Sequence, residues 1–275
     1  LTKPDDIQLT GDVSLKTQAG LKLGKDAMTY QADGTLAMPA GRVNELGLRN
    51  LNVVFAADEK QARVKAMHLE TSGGKLDVQA KVGMNKPMPL AADVKIASLD
   101  VGDALKKFGL KDLPVAAIVD ADLSAGGRLN PLSVDTRGQI DVVDVAYGDA
   151  VAVEHVNVAL DATAQGDTNK VRDLRVTVDQ LEAGGSVIPQ ATVTLVGDVG
   201  PKFNAIQTLK VQTEHTRVSV EGTAHPAGSL NLFAAIEADD LSEFEGFVGK
   251  KLGGRGRLDA KITGTAKKPA VAGTL

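Results

Sequence analysis

Four short stretches carry residue types that could do chemistry. Gly20 to Asp26 reads "GLKLGKD", a glycine-lysine turn that resembles a phosphate-binding loop. It places three residues between its glycines where a phosphate loop has four, and Asp26 stands where a magnesium-binding Ser or Thr is needed. Asp120 to Gly127 reads "DADLSAGG" and begins like a calcium loop. Ala125 occupies the position that requires glycine, and Pro131 the position of the bidentate glutamate. "GGRGRL" from Gly253 lacks the G-x-G-x-x-G spacing and leads into an alternating run, not a helix. The four histidines, His68, His155, His215 and His225, show no helical pairing, and the chain has no cysteine to complete a thiolate metal set. No G-x-S-x-G elbow occurs. The reading is therefore of a protein that is not an enzyme, with no catalytic residue, no metal site and no cofactor.

Composition narrows the partners. The 275 residues carry a net charge of −4 with both signs mixed along the chain, where a nucleic-acid binder concentrates Lys and Arg on one face. The same balance argues against electrostatic docking on an anionic membrane. Aromatic residues are 3% with no Trp, too few for stacking platforms under bases or sugars. The 43% hydrophobic content is dominated by Val, Leu, Ala and Ile.

The elements that would position these residues are strands. Apolar residues alternate with polar ones along most of the chain, which places the two kinds on opposite faces of a sheet. Ile7, Leu9, Val13 and Leu15 share one parity; Leu51, Val53 and Phe55, then Leu76, Val78, Ala80 and Val82, then Ala92, Val94 and Ile96 follow. The pattern continues through Val156, Val158 and Leu160 to Leu230, Leu232, Ala234 and Ile236. It slips at Glu154–His155, which reads as a β-bulge. Turn sequences such as "SGGK", "QGDTN" and "HPAG" separate the runs, so successive strands form an antiparallel meander.

Two stretches have helical spacing. Val101, Ala104, Leu105 and Phe108 follow Asp100 as a cap and precede Gly109, predicting a helix over 101–108. Leu241, Phe244 and Val248 follow the D-x-x-E pair Asp240 and Glu243, predicting a second over 241–248. The two caps lie 140 positions apart, Ile96 and Ile236 precede them alike, and Pro131 and Pro269 open corresponding later strands. Residues 94–140 and 234–275 thus read as approximate repeats within one continuous segment, 1–275.

One apolar face per strand, aliphatic and without bulky aromatics, fits an open sheet better than a sandwich, whose facing layers interdigitate large side chains. The fold class expected is all-β: a long twisted antiparallel meander curled into an open groove, with two short helices. Val151, Val153, Val176, Val178, Leu230, Leu232, Leu258 and Ile262 would line that groove, with Asp259 and Lys261 turned to solvent. An apolar trough of such length exceeds what soluble monomers expose and calls for an apolar occupant.

"IASLDVGDALKKFGLKDLPVAAIVDADLSAGG" resembles the AsmA-like proteins, and "RGRLDAKITGTAKKPAVAGTL" resembles the recurring segment of their TamB relatives. The resembling segments cover roughly a quarter of the chain. The resemblance implies a β-taco, a repeating β-groove in the periplasm, tethered to the inner membrane by an N-terminal helix missing from this sequence, which would be an internal segment. It further implies phospholipid acyl chains as the cargo, with a bridge moving phospholipid between inner and outer membranes, and an outer-membrane assembly protein as a partner. An alternative is a scaffold for outer-membrane protein assembly that pairs client strands at its open sheet edge. A β-rich enzyme or adhesin is a third reading, but it needs polar residues converging in a cleft, and the sequence shows none.

Overall fold

A computed structural model describes residues 8–23, 28–71, 73–107, 110, 114–148, 151–183, 185–201, 204–225, 228–245, 249–265 and 267–274. The described elements are almost all strands, and every registered pair of neighbours is antiparallel. The chain divides into two units, 1–134 and 135–275.

The first unit holds β1 (Leu9–Gly11), β2 (Ser14–Leu23), β3 (Met28–Val43), β4 (Leu46–Asp58), β5 (Gln61–Thr71), β6 (Gly74–Gly83), β7 (Pro89–Asp100), α1 (Val101–Lys107) and β8 (Val115–Leu129). β1 and β2 lie end to end along one edge of β3. From there the strands pair in chain order to β8. The alternation reads directly as rows across this sheet. Leu15 faces Leu36, which faces Val53, and the row runs on through Met67, Val78, Val94 and Leu123.

The second unit holds most of β9 (Leu132–Tyr147), then β10 (Val151–Gln165), β11 (Thr168–Ala183), β12 (Ser186–Val199), β13 (Asn204–Gln212), β14 (Thr216–Ala224), β15 (Ser229–Ala238), a 3₁₀ turn (Leu241–Phe244), β16 (Gly256–Thr265) and β17 (Lys268–Thr274). β9 pairs with β10, and the others again follow chain order. One row here is aliphatic across seven strands: Val158, Val176, Val193, Val211, Val218, Ile236 and Leu258. A second runs beside it through Leu160, Leu174, Leu195, Leu209, Val220, Ala234 and Ala260.

The fold class expected from alternation, an open all-β meander, is what the structure has, with corrections in its details. The second helical stretch opens as a 3₁₀ turn over Leu241–Phe244 and is α-helical at Glu245, whose carbonyl accepts the Gly249 N–H at 2.8 Å. Asp240 does cap it, accepting the Ser242 N–H at 2.9 Å. Residues 246–248 of the expected helix, and Phe108 and Gly109 of the first, lie outside the described residues. The parity slip at Glu154 is no one-sided bulge. Val153 faces Leu181 and His155 faces Asp179, so the register does not shift, and Glu154 sits opposite Gln180, whose φ is 53°. On the other side of Gln180 stands Pro189, between the pairs Asp179–Gln190 and Leu181–Ile188. The same device occurs at Asn50 (φ 53°) opposite Pro39, between the pairs Met38–Leu51 and Ala40–Arg49. A proline cannot donate to the ladder, and a left-handed residue within a strand disturbs the alternation there. Leu46 and Leu48 before Asn50 therefore join the same buried cluster as Leu51 after it, with Met38, Val43 and Leu69.

That cluster lies at the α1 end of the strands. Buried apolar residues are few: Met38, Leu46, Leu48, Ala56, Ala117, Ala121, Val153, Ile188, Ala238 and Ala260 among those described, with Met38 alone fully buried. The total exposed surface is 17285 Å². Two compact bodies of half this mass would together expose about 13,600 Å², so the sheets have not folded into sandwiches. α1 reaches across its sheet: Lys107 C=O accepts the Glu45 N–H at 3.3 Å, from beyond β7 to the β3–β4 turn. The 3₁₀ turn, which follows β15, likewise packs against β12. Three strand spacings are about 14 Å, so in each unit a short helical segment straps one rim.

Gly222 and Gly20 give opposite expectations for one substitution. A Cβ at Gly222 (φ +129°) would lie 2.1 Å from the Asn231 carbonyl oxygen, whereas one at Gly20 meets nothing within 4 Å. Gly222→Ala should lower unfolding free energy by about 2 kcal/mol. Gly20→Ala should leave it unchanged or raise it by about 0.5 kcal/mol. Chemical denaturation of the two variants separates these outcomes.

Candidate functional site: an uncovered apolar sheet face

The eight residues expected to line a groove are spread over four strands of the second unit. Val153 is buried, and Val151, Val176, Val178, Leu230, Leu232, Leu258 and Ile262 are half-buried. Val176 belongs to the seven-strand row that ends at Leu258. Val178 pairs with Val156 and Ala191 next to it. Leu232 faces Ile262, and Ile262 faces Val271 on β17. Leu230 faces Gly264 at the far end of the same pair of strands. Val151 and Val153 lie beyond Glu154 and face Ala183 and Leu181. The set is thus two groups, one on β10–β11 and one on β15–β16, joined by the aliphatic rows of β12 to β14. Asp259 and Lys261, from the alternate positions of β16, are exposed.

Half-burial is the informative property of this face. An isolated flat sheet would leave its valines and leucines largely wet, and a second packed layer would bury them completely. Here neighbouring side chains of the same face shield each other across the ladder, and the remainder stays accessible. Along the two aliphatic rows the face offers apolar surface without a hydrogen-bonding side chain, while Asn169 and Asn204 lie in the row of Leu230. Those rows present a surface on which hydrocarbon can be withdrawn from water.

The opposite face is ionic. Arg172 on β11 donates from Nε to Asp161 Oδ1 at 2.7 Å and from Nη1 to Asp135 Oδ1 at 2.9 Å, and Thr163 Oγ1 donates to Asp135 at 2.6 Å. Arg137 approaches Asp161 at 3.2 Å. The Arg172 hydrogen bond holds the Asp161 carboxyl below the usual range, and the Thr163 and Arg172 hydrogen bonds do the same to Asp135. His155 lies between Asp141 and Asp179 at 3.3 Å each. His68 on β5 lies 2.7 Å from Asp77, its cross-strand partner on β6, and 3.4 Å from Glu70. These are cross-strand pairs on wet surface, spread along the sheets. Among the described residues no group of three or more His, Cys, Asp or Glu side chains is arranged to hold a metal ion, and no helix is long and apolar enough to cross a membrane.

One feature of the ionic face escaped the sequence reading. Phe233 stands at a polar-parity position of β15, between Asn231 and Ala235, and is 48% exposed. The Lys261 ammonium sits 5.3 Å from its ring centre, directly across the ladder. Together with Lys210, Ser219, Glu221 and Asp259 they line a shallow depression of about 760 Å³. The signal was a single aromatic residue out of phase in an otherwise regular run.

No family model, curated protein or solved structure matches this chain.

His68 provides a check on the ionic face. Its hydrogen bond to Asp77, then that to Glu70, raises its pKa above the ordinary value. A raised pKa means that the stabilisation this cluster supplies is full at low pH and is lost as pH rises through the folded midpoint. An NMR titration should place the His68 midpoint above about 6.5, and Asp77→Asn should bring it down.

Proposed function

We propose that this chain is part of a non-catalytic groove that carries lipid acyl chains, of the AsmA-like and TamB kind. In that setting it works in the periplasm, held to the inner membrane by a segment outside this sequence, in a bridge that moves phospholipid toward the outer membrane. The observation that supports the reading is the pair of aliphatic rows spanning seven strands of the second unit, half-buried and with no polar side chain among them. Six strand spacings make such a row about 29 Å long. Each methylene withdrawn from water onto it contributes about 0.8 kcal/mol, so a ~16-carbon chain gains on the order of 12 kcal/mol before ordering costs. A conduit needs that gain to be uniform, because a polar interruption would act as a barrier, and the rows are uniform.

A second reading has its own support. All seven residues of β17 are exposed, and β17 pairs with β16 through one edge. An edge of this kind can accept a client strand by backbone pairing, which is the chemistry of an outer-membrane assembly scaffold. Pro269 within β17 lacks the donor that continuous pairing needs, so the lipid reading is preferred.

The two readings differ in what a buried charge does. Leu232→Asp and Ile262→Asp place a carboxylate on the apolar face at positions that remain partly wet, so the sheet should stay folded by circular dichroism. Lipid copurifying with the protein should fall by at least tenfold on mass spectrometry, while Lys261→Ser should retain it. A photo-crosslinker at position 232 should capture phospholipid and one at 261 should not. Equal capture at both positions would remove the support for the groove and leave edge pairing as the better account.

A further inference from the structure

The rim of the first unit opposite α1 carries an apolar and basic tip at the end of the lining. On β6 the row-forming residues are Leu76, Val78, Ala80 and Val82, all half-buried. The next residue of that parity is Met84, just beyond the strand, and it is 50% exposed. On β8 the residues Leu123, Ala125 and Gly127 face Val94, Ala92 and Leu90. The next of that parity, Leu129, is 37% exposed, and Leu132, which opens β9, is 39% exposed. The apolar face therefore does not stop at the ends of the strands but runs out onto two turns. Those turns are tied together. Leu129 N–H donates to Met88 C=O at 3.0 Å, and Asn130 N–H donates to Pro87 C=O at 3.1 Å. The β6–β7 turn is anchored on its other side by Met84 N–H to Lys60 C=O at 2.7 Å.

Among the described residues, the cations on the turns from β4 to β9 at this rim are Lys60, Lys86 and Arg128, all exposed. None of the three is in an ion pair among the described residues. The acidic neighbours are Asp58 and Glu59. Asp58 is engaged by its own turn, accepting the backbone N–H groups of Lys60 and Gln61 at 2.8 Å and 2.9 Å, which leaves three cations against two carboxylates. Residues 83–92 and 125–134 contain one cation each and no carboxylate. The whole-chain charge of −4 thus conceals a rim that is locally positive.

We propose that this rim is a membrane-docking tip: Met84, Leu129 and Leu132 enter the acyl boundary of a bilayer while Lys60, Lys86 and Arg128 contact anionic headgroups. Exposed aliphatic side chains flanked by unpaired cations match the two layers a bilayer surface presents, an apolar interior beneath negative phosphates. A protein partner would have to supply both an apolar pocket and a row of carboxylates at the same spacing, and nothing in the fold selects for that. The inference rests on the lipid-groove reading for its purpose, since the tip would join the bilayer interior to the apolar face through Val82, Leu90 and Leu123. The helix-strapped rim is the one turned away.

Vesicle flotation tests it directly, using the purified chain with phosphatidylcholine vesicles and with vesicles that also contain phosphatidylglycerol. The chain should float with the anionic vesicles, and added salt should weaken this. Each headgroup-contacting cation is worth about fivefold in partitioning, so Lys86→Glu/Arg128→Glu should lose at least tenfold on anionic vesicles. Met84→Asp/Leu129→Asp should lose binding to both compositions. Lys106→Glu, an exposed position on α1, should bind as the unaltered chain does. Should the Asp pair disturb folding, Met84→Ser/Leu129→Ser removes the same insertion with less perturbation. Failure of the unaltered chain to float, or flotation of the rim variants at its level, overturns the inference. Copurifying lipid is scored in the same preparations: lipid in the groove with a rim that does not bind vesicles would sink the docking tip alone, and a binding rim on a lipid-free protein would sink the groove alone.

Discussion

The antiparallel backbone ladder is the interaction on which the rest of this structure depends. With only ten buried apolar residues among those described, and Met38 alone fully buried, there is no central core to hold the strands together from a distance. Cohesion comes from hydrogen bonds between neighbours and from side chains that meet across each pair. Register therefore carries unusual weight: a one-residue slip would turn a whole aliphatic row to the ionic face and bring aspartates and lysines onto the apolar one. The ionic face guards against that slip. Asp135, Asp161 and Arg172 on three successive strands meet only in the native register, as do His68 and Asp77. Surface pairs of this kind add little stability individually, but they discriminate between alternatives that differ by one residue.

A sheet held in this way can leave a face open. In a sandwich the apolar face is consumed by folding, and here most of it remains half-wet. The stability that a second layer would supply is absent, and the short strapping segments replace it at one rim. α1 ties itself to the β3–β4 turn across three strands, and the cluster of Met38, Leu46 and Leu48 forms at that end of the strands. The opposite rim has no such strap among the described residues, and in the first unit its apolar row continues into exposed turns. Within each unit, an open face, one strapped rim and one unstrapped rim give the sheet a direction across its strands as well as along them.

Much of this was legible in the sequence because a strand has a side-chain period of two, and that period survives without any knowledge of neighbours. The strands, their order and the two classes of face follow from alternation and short turns. Asp240 was legible as a cap because an N-cap is a local interaction. Val176, Val178, Leu232, Leu258 and Ile262 could be assigned to one kind of face for the same reason.

The tertiary structure alone decided which residues complete a row, and where the alternation is re-phased. Asn50 and Gln180 adopt left-handed backbone within their strands, each opposite a proline on a neighbouring strand, at positions 39 and 189. A left-handed residue that answers a missing donor eleven or nine positions away leaves no local mark, so Leu46 and Leu48 could not be placed with Leu51 from parity. The second helical stretch begins as a 3₁₀ turn over Leu241–Phe244, a tightening common in the first turn of a helix, and spacing alone does not distinguish the two geometries. Phe233 became a surface feature only when register set Lys261 beside it. The sequence by itself determined that each strand has one apolar face. Whether that face would be covered depended on packing between segments distant in the chain, and only the folded sheet shows it left open.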